Sequence, residues 1–142
     1  MAKVFIPRER RPGETRVAAT PETVKRMLKQ GLEVAVERGA GAAALFSDGD
    51  YEAAGARLVN DPAAAWGSAD VVLKVTPPGR FEGLPGHEAE GLKPGAVLIG
   101  FLAPYRNLDM VRTLAAGRVT SLALELVPRV TRAQPMDALS SQ

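Results

Sequence analysis

Thr20-Pro21-Glu22-Thr23-Val24-Lys25-Arg26-Met27-Leu28-Lys29-Gln30-Gly31-Leu32-Glu33-Val34-Ala35-Val36 is the stretch that decides the fold. Its first half carries helix-start signals in order: Thr20 as N-cap, Pro21 at the first helical position and Glu22 in the first turn. Val24, Met27 and Leu28 give the helical period. Gly31 then closes the helix, because glycine accepts the left-handed conformation at a helix end. Leu32 to Val36 reads as a strand. Helix, glycine, strand, with almost no loop between them, is the unit from which open α/β sheets are wound.

The same alternation extends in both directions. Val4-Phe5-Ile6 is a short apolar strand, followed by an Arg/Pro/Gly loop through Glu14. Beyond Val36, a short helix is predicted over 47–56, ended by Gly55, then a strand at Arg57-Leu58-Val59. Asn60-Asp61-Pro62 caps a helix through Trp66. Asp70 to Val75 is a strongly apolar strand carrying one lysine, and 76–95 is rich in Pro and Gly, with one helical turn near Glu88 to Leu92. Ala96 to Leu102 is the next strand, Asn107 caps a helix over 108–116, and Val119 to Leu126 is the last strand. Strands that are apolar throughout are expected where both sheet faces are covered. Right-handed crossovers then give a doubly wound, mostly parallel α/β sheet, a flavodoxin- or Rossmann-like lobe.

Composition narrows the function. A chain of 142 residues is one domain's worth, long enough to bury a real core. A net charge of +2 argues against nucleic acid, and the basic cluster Lys3, Arg8, Arg10 and Arg11 has no interleaved aromatics. No cysteine means no thiol nucleophile and no disulfide framework. One histidine, His87, in a Gly/Pro/Glu-rich stretch, reads as a loop residue and makes a zinc site improbable. No apolar run approaches the ~20 residues of a membrane span, and no signal peptide is present, which predicts a cytoplasmic chain.

Three features carry candidate chemistry. Gly39-Ala40-Gly41-Ala42-Ala43-Ala44 follows a strand and fits G-x-G-x-x-A, with Asp61 at a spacing that suits a ribose contact. Phe46 to Asp50 breaks the helix such a motif needs, so a tight packing turn is the better reading. Lys74 interrupts an apolar strand, which is costly unless the lysine is paired or sits at a strand end facing a cleft. With Arg16 it forms a possible anion cradle. The third feature is 127–142, which leaves the last strand with Arg129, Arg132, Gln134, Asp137 and Ser140. It is poor core material but well supplied with side chains that bind polar ligands, at the sheet end where such folds bind them. Met136 and Leu139 read as the first turns of a helix, and the absence of a helix stop predicts that the chain belongs to a longer protein.

At this point the residues resemble a known family. Ile6-Pro7-Arg8-Glu9, Glu14-Thr15-Arg16-Val17-Ala18-Ala19-Thr20-Pro21, Val36-Glu37-Arg38-Gly39-Ala40-Gly41, Ala54-Gly55-Ala56, Val72-Leu73-Lys74-Val75 and Pro128-Arg129-Val130-Thr131-Arg132-Ala133-Gln134 are similar to blocks of the alanine dehydrogenase and pyridine nucleotide transhydrogenase family. The resemblance implies that 1–126 is the family's N-terminal α/β lobe. It implies that 127–142 is a nicotinamide-contacting loop and the start of a helix crossing into an NAD-binding domain absent here. Arg129, Val130, Thr131, Arg132, Gln134, Asp137 and Ser140 are then cofactor-binding positions.

Alanine dehydrogenases use an Arg, a Lys and a His on pyruvate. Arg16 and Lys74 match, but the place where the His is expected reads Phe101-Leu102-Ala103-Pro104, and Ala103 cannot act as an acid or base. The transhydrogenase branch is therefore favoured, with hydride transferred between NAD(H) and NADP(H), the latter held by a partner component, and no catalytic side chain required. An alanine dehydrogenase-like fragment, or a non-catalytic binding module, is the alternative. The resemblance further implies NADP(H)-binding and membrane partner components, a homodimer in the full enzyme, proton translocation, and a peripheral membrane location through the complex. No metal is implied.

Overall fold

A computed structural model describes residues 2–82 and 84–126. The segment 127–142, and with it the proposed nicotinamide loop, lies outside the described residues.

Six strands form one sheet: β1 (Lys3–Ile6), β2 (Glu33–Glu37), β3 (Arg57–Val59), β4 (Val71–Leu73), β5 (Val97–Gly100) and β6 (Thr120–Ala123). Every pairing is parallel, and the order is β3-β2-β1-β4-β5-β6. This is the doubly wound arrangement expected from the alternation. The order reverses between β1 and β4, so the crevice outside their carboxyl ends is the place where such sheets hold ligands.

The helices α1 (Pro21–Lys29), α2 (Asp48–Ala54), α3 (Pro62–Ser68) and α4 (Leu108–Ala116) start and stop where local chemistry dictates. Thr20 Oγ1 accepts the Thr23 N–H at 3.2 Å, capping α1. At its other end the Gly31 and Leu32 N–H groups donate back to Leu28 and Met27, with Gly31 at φ +87°. Ser47 and Asp50 exchange side-chain and backbone bonds in a capping box at α2. Asp61 caps α3 by accepting the Ala64 N–H at 3.2 Å.

Two hydrophobic clusters sandwich the sheet. One, under α1 and α2, contains Val4, Ile6, Val24, Val34, Val36 and Tyr51. The other, under α3 and α4, contains Phe5, Trp66, Val72, Leu98, Met110 and Leu114, with Phe5 and Trp66 edge to face at 6.1 Å. Successive β1 residues therefore feed opposite clusters, as the strand's period of two requires.

Three predicted elements are shorter than the apolar runs suggested. Strand β4 stops at Leu73, because the Val75 and Thr76 N–H groups turn to the Glu9 carboxylate. Strand β5 stops at Gly100, and just beyond it Glu125 accepts the N–H groups of Leu102 and Ala103. Strand β6 gives way at Leu124 to a 3₁₀ turn, Leu124–Leu126, which carries that glutamate. Asn107 occupies the N-cap position of α4, but its side chain does not cap. Its amide donates instead to the Leu102 and Ala103 carbonyls at 3.1 and 3.0 Å.

Candidate functional site

The loop leaving β1 lies across the carboxyl ends of its two neighbours. On the β2 side, the Arg8 N–H donates to Glu37 Oε1 at 3.0 Å, and the Arg10 guanidinium grips both oxygens of Glu37. Both side chains of that pair are nearly buried. On the β4 side, Glu9 accepts four hydrogen bonds: Lys74 Nζ at 2.9 Å, Val75 N–H at 2.8 Å, Thr76 N–H at 3.1 Å and Thr76 Oγ1 at 2.7 Å. Farther along the loop, Arg11 donates to the Pro77 carbonyl at 3.0 Å and stacks over Phe81.

Lys74 meets a second carboxylate, Glu88, at 3.6 Å, and both side chains are fully buried. Glu88 Oε1 also accepts the Gly79 N–H at 3.1 Å, while its Oε2 is buried with no hydrogen-bond partner among the described residues. Burial pushes the Glu88 carboxyl above its ordinary range, against the opposing pull of Lys74, the Gly79 N–H and Arg10. The switch-point crevice is thus floored by a buried carboxylate–lysine–carboxylate cluster.

Arg16 stands in a different setting. Its side chain is mostly exposed and pairs with Glu14 at 2.9 Å, which holds the Glu14 carboxyl down at about 2. Each cation of the anticipated anion cradle therefore has its own carboxylate partner: Glu14 for Arg16, and Glu9 with Glu88 for Lys74. An anion could reach Lys74 only by displacing a buried glutamate.

The glycine segment is a packing turn. Gly39, at φ +80°, donates its N–H to Asp48 at 2.9 Å; Ala40, Ala42 and Ala44 donate to carbonyls within the turn. A Cβ on Gly41 would lie 2.6 Å from the Tyr51 ring and 2.9 Å from Phe46. These N–H groups are therefore spent internally rather than offered to a pyrophosphate, and Asp61 is spent as a helix cap. Tyr51 itself donates to the Ala19 carbonyl at 2.7 Å, and burial raises its hydroxyl to about 12.

Ala103 follows β5 in the left-handed region, at φ +43°, with its N–H on Glu125 at 2.7 Å. The Ala103 side chain itself cannot transfer a proton, and the carboxylate beside it, Glu125, is taken up by the Leu102 and Ala103 N–H groups. His87 Nδ1 accepts the Ala89 N–H at 3.0 Å, so its proton sits on Nε2. Burial lowers its pKa; Glu90 opposes that shift, and Arg80 and Arg11 reinforce it. A cavity of about 470 Å³, lined by Arg11, His87, Tyr105, Arg106 and Arg112 among others, opens at this edge. A second cavity of about 520 Å³, touching Lys3, Leu28, Glu33 and Arg57, lies at the sheet's amino end, away from the crevice.

Sequence reasoning singled out the cations and missed Glu9, Glu37, Glu88 and Glu125, the carboxylates that organise the edge. Glu9 carried a signal: it stands in the loop just past a strand's carboxyl end, and a buried lysine elsewhere demands a partner.

The family model described as Alanine dehydrogenase/PNT, N-terminal domain matches residues 5–142. The chain belongs to this family. An NAD(P) transhydrogenase alpha-subunit protein of Rhodospirillum rubrum is 46% identical over 140 residues, which is 99% of this chain and 36% of that protein. The crystal structure of transhydrogenase from Sinorhizobium meliloti superposes with a TM-score of 0.86 at 43% identity, covering 98% of this chain and 40% of that one. Alanine dehydrogenase of Mycobacterium tuberculosis is more distant, 34% identical over 99% of this chain and 36% of that protein. Within the alanine dehydrogenase/transhydrogenase family the transhydrogenase branch is therefore favoured. The chain spans little more than a third of the length of these relatives. Among the described residues no helix is long and apolar enough to cross a membrane.

Proposed function

We propose that this chain is the first lobe of the NAD(H)-binding component of a proton-translocating NAD(P) transhydrogenase, acting in hydride transfer between NAD(H) and NADP(H). The observation that carries the reading is the carboxyl edge itself, where Arg10, Arg16 and Lys74 are each paired with carboxylate and Ala103 stands at the exit of β5. Such an edge holds and orients: Ala103 offers no acid or base, and Glu125 beside it is spent on backbone N–H groups. Direct hydride transfer between two nicotinamides needs no more than that, since the cofactors supply the chemistry and the protein supplies near-attack geometry.

On this reading 127–142 reaches the nicotinamide ring. Arg129, Val130, Thr131, Arg132, Gln134, Asp137 and Ser140 line the contact, with Gln134 holding the carboxamide and an Arg129–Asp137 pair bracing the loop. Pyrophosphate and adenosine are held by a further domain of the same protein, NADP(H) by a partner component, and the assembly, a homodimer in this component, sits on the cytoplasmic side of the membrane that carries the proton path. Arg16 and Lys74 act on this edge through their carboxylates, as its framework.

The test uses the full-length protein with its NADP(H)-binding partner. Gln134→Asn keeps the amide but shortens its reach by one methylene. Hydride transfer should fall ten-fold or more, because misplacement by about 1 Å can cost roughly 10²-fold, while NAD(H) affinity is held by the other domain. An unchanged transfer rate would remove the segment from the site. Robust pyruvate formation from alanine would move the protein to the alanine dehydrogenase branch.

A further inference from the structure

The crevice floor holds more carboxylate than cation. Glu9, Glu37 and Glu88 face two cations, Arg10 and Lys74, and all five side chains are at most 8% exposed. Fully ionised, the cluster would carry one uncompensated negative charge out of reach of water, among the costliest states a protein interior can hold. One bound proton removes it. The hydrogen bonds decide where that proton sits. Glu37 accepts from the Arg8 N–H and from two guanidinium nitrogens of Arg10, and Glu9 accepts four bonds. Glu88 accepts one, from the Gly79 N–H at 3.1 Å. Its contact with Lys74 is longer, at 3.6 Å, and its Oε2 is buried with no partner among the described residues. Donors stabilise the charged form of a carboxyl, so the proton belongs on Glu88, the poorest in donors.

Glu88 also closes a clasp. Its N–H donates to the Gly79 carbonyl at 2.8 Å, its side chain accepts the Gly79 N–H, and Arg80 and His87 pair as an antiparallel bridge just inside. We propose that the crevice floor keeps one resident proton on Glu88, and that its release to solvent as pH rises parts Glu88 from Gly79, making the clasp a pH-sensitive switch. Ionised Glu88 leaves the enclosure because water can solvate its second oxygen, for which the closed clasp has no donor. Burial, which raises this carboxyl, acts in the same direction. The charged groups facing Glu88 are Lys74 at the exit of β4 and Glu9 and Arg10 in the β1 loop. The other charges of this corner are held elsewhere. Arg80 with Glu90, and Asp109 with Arg112 on α4, are exposed pairs, and Arg11 is engaged by the Pro77 carbonyl and the Phe81 ring. From α3, Trp66 packs on Gly91 and brings no charge. His87 works with the opposite sign: its Nδ1 accepts the Ala89 N–H, so its protonation would loosen the turn Glu88–Glu90 as pH falls.

Between the ordinary carboxyl value of 4.5 and the value at which Glu88 ionises in place, the opening equilibrium rises about ten-fold per pH unit, then levels off. Amide hydrogen exchange in the full-length protein, corrected for the intrinsic pH dependence of exchange, reads that equilibrium at the Gly79 and Glu88 N–H groups. Protection there should fall as pH rises, while the amides of β2 (Glu33–Glu37) keep theirs. Glu88→Gln keeps an acceptor for the Gly79 N–H and retains His87, and it should abolish the fall. The infrared C=O band of a protonated carboxyl should disappear over the same pH range in the parent protein. Protection that ignores pH, or an equal fall in Glu88→Gln, would overturn the switch. A carboxyl band that is absent, or lost over a different range, would overturn it too, and that reading stands even where Glu88→Gln fails to fold.

Discussion

Glu9→Ala is the sharpest test of how the carboxyl edge is held. The substitution removes an acceptor that takes four hydrogen bonds, from Lys74 Nζ, the Val75 and Thr76 N–H groups and Thr76 Oγ1. Lys74 keeps only Glu88, at 3.6 Å, whose carboxyl burial itself pushes toward the neutral form. Breaking one side of a buried ion pair costs about 3–5 kcal/mol, and each orphaned amide adds about 1–3 kcal/mol where water cannot enter. The terms overlap, so about 4 kcal/mol is expected, against a total stability of about 5–15 kcal/mol for a domain. With a urea slope of about 2 kcal/mol/M, the unfolding midpoint should fall by about 2 M. Fluorescence of Trp66, 2% exposed against Phe5, is the natural probe. Adding Lys74→Met removes the stranded charge and should return about 1–3 kcal/mol. A loss below about 1 kcal/mol for Glu9→Ala, or a second substitution that only adds to the damage, would refute the idea that Glu9 and Lys74 fasten β1 to β4.

Two further outcomes follow from the same region. Because burial raises the Glu88 carboxyl above its ordinary 4.5, its contribution to stability is full below that value and is lost as pH rises through the folded-state value. Glu88→Gln mimics the protonated acid and should flatten that decline in thermal unfolding measured against pH; a slope identical to the parent's would show that Glu88 ionises freely. Gly100→Ala would place a Cβ 2.4 Å from the Lys74 carbonyl oxygen, a backbone atom that cannot swing aside. A cost of about 1–3 kcal/mol is expected from overpacking, read from the urea midpoint, and a variant as stable as its parent would contradict this close approach of β4 and β5.

The elements themselves were legible because their signals are local. Thr20, Ser47 and Asp61 cap the helices they precede, and Gly31 and Gly55 end the helices they follow at positive φ. What sequence alone did not reveal depends on side chains distant in the chain. The end of β4 is set by Glu9, and Glu125 accepts the N–H groups just beyond β5; nothing in an apolar run announces either carboxylate. Asn107 misled for a related reason: its residue type suits a cap, yet two free carbonyls at the preceding turn claim its amide. The cradle residues Arg16 and Lys74 looked alike as loop-side cations. Burial separates them, one mostly in solvent and the other wholly enclosed, and burial is a property of the assembled sheet.

The strand order also sets a schedule for folding. Strand β1 lies at the centre of the sheet, yet its partner on one side, β4, and the lysine that receives Glu9 follow 65 residues later in the chain. At ribosomal speeds of about 5–20 residues per second, that flank of β1 waits about 3–13 s before its partner has been made. During this interval Phe5 and Ile6 and an open backbone edge are exposed on the growing chain, and the non-local pairing that closes the sheet is of the slow-folding kind. The charged loop Arg8–Arg11 at the end of β1 places beside that edge the kind of side chains with which sheets guard their edges against mispairing.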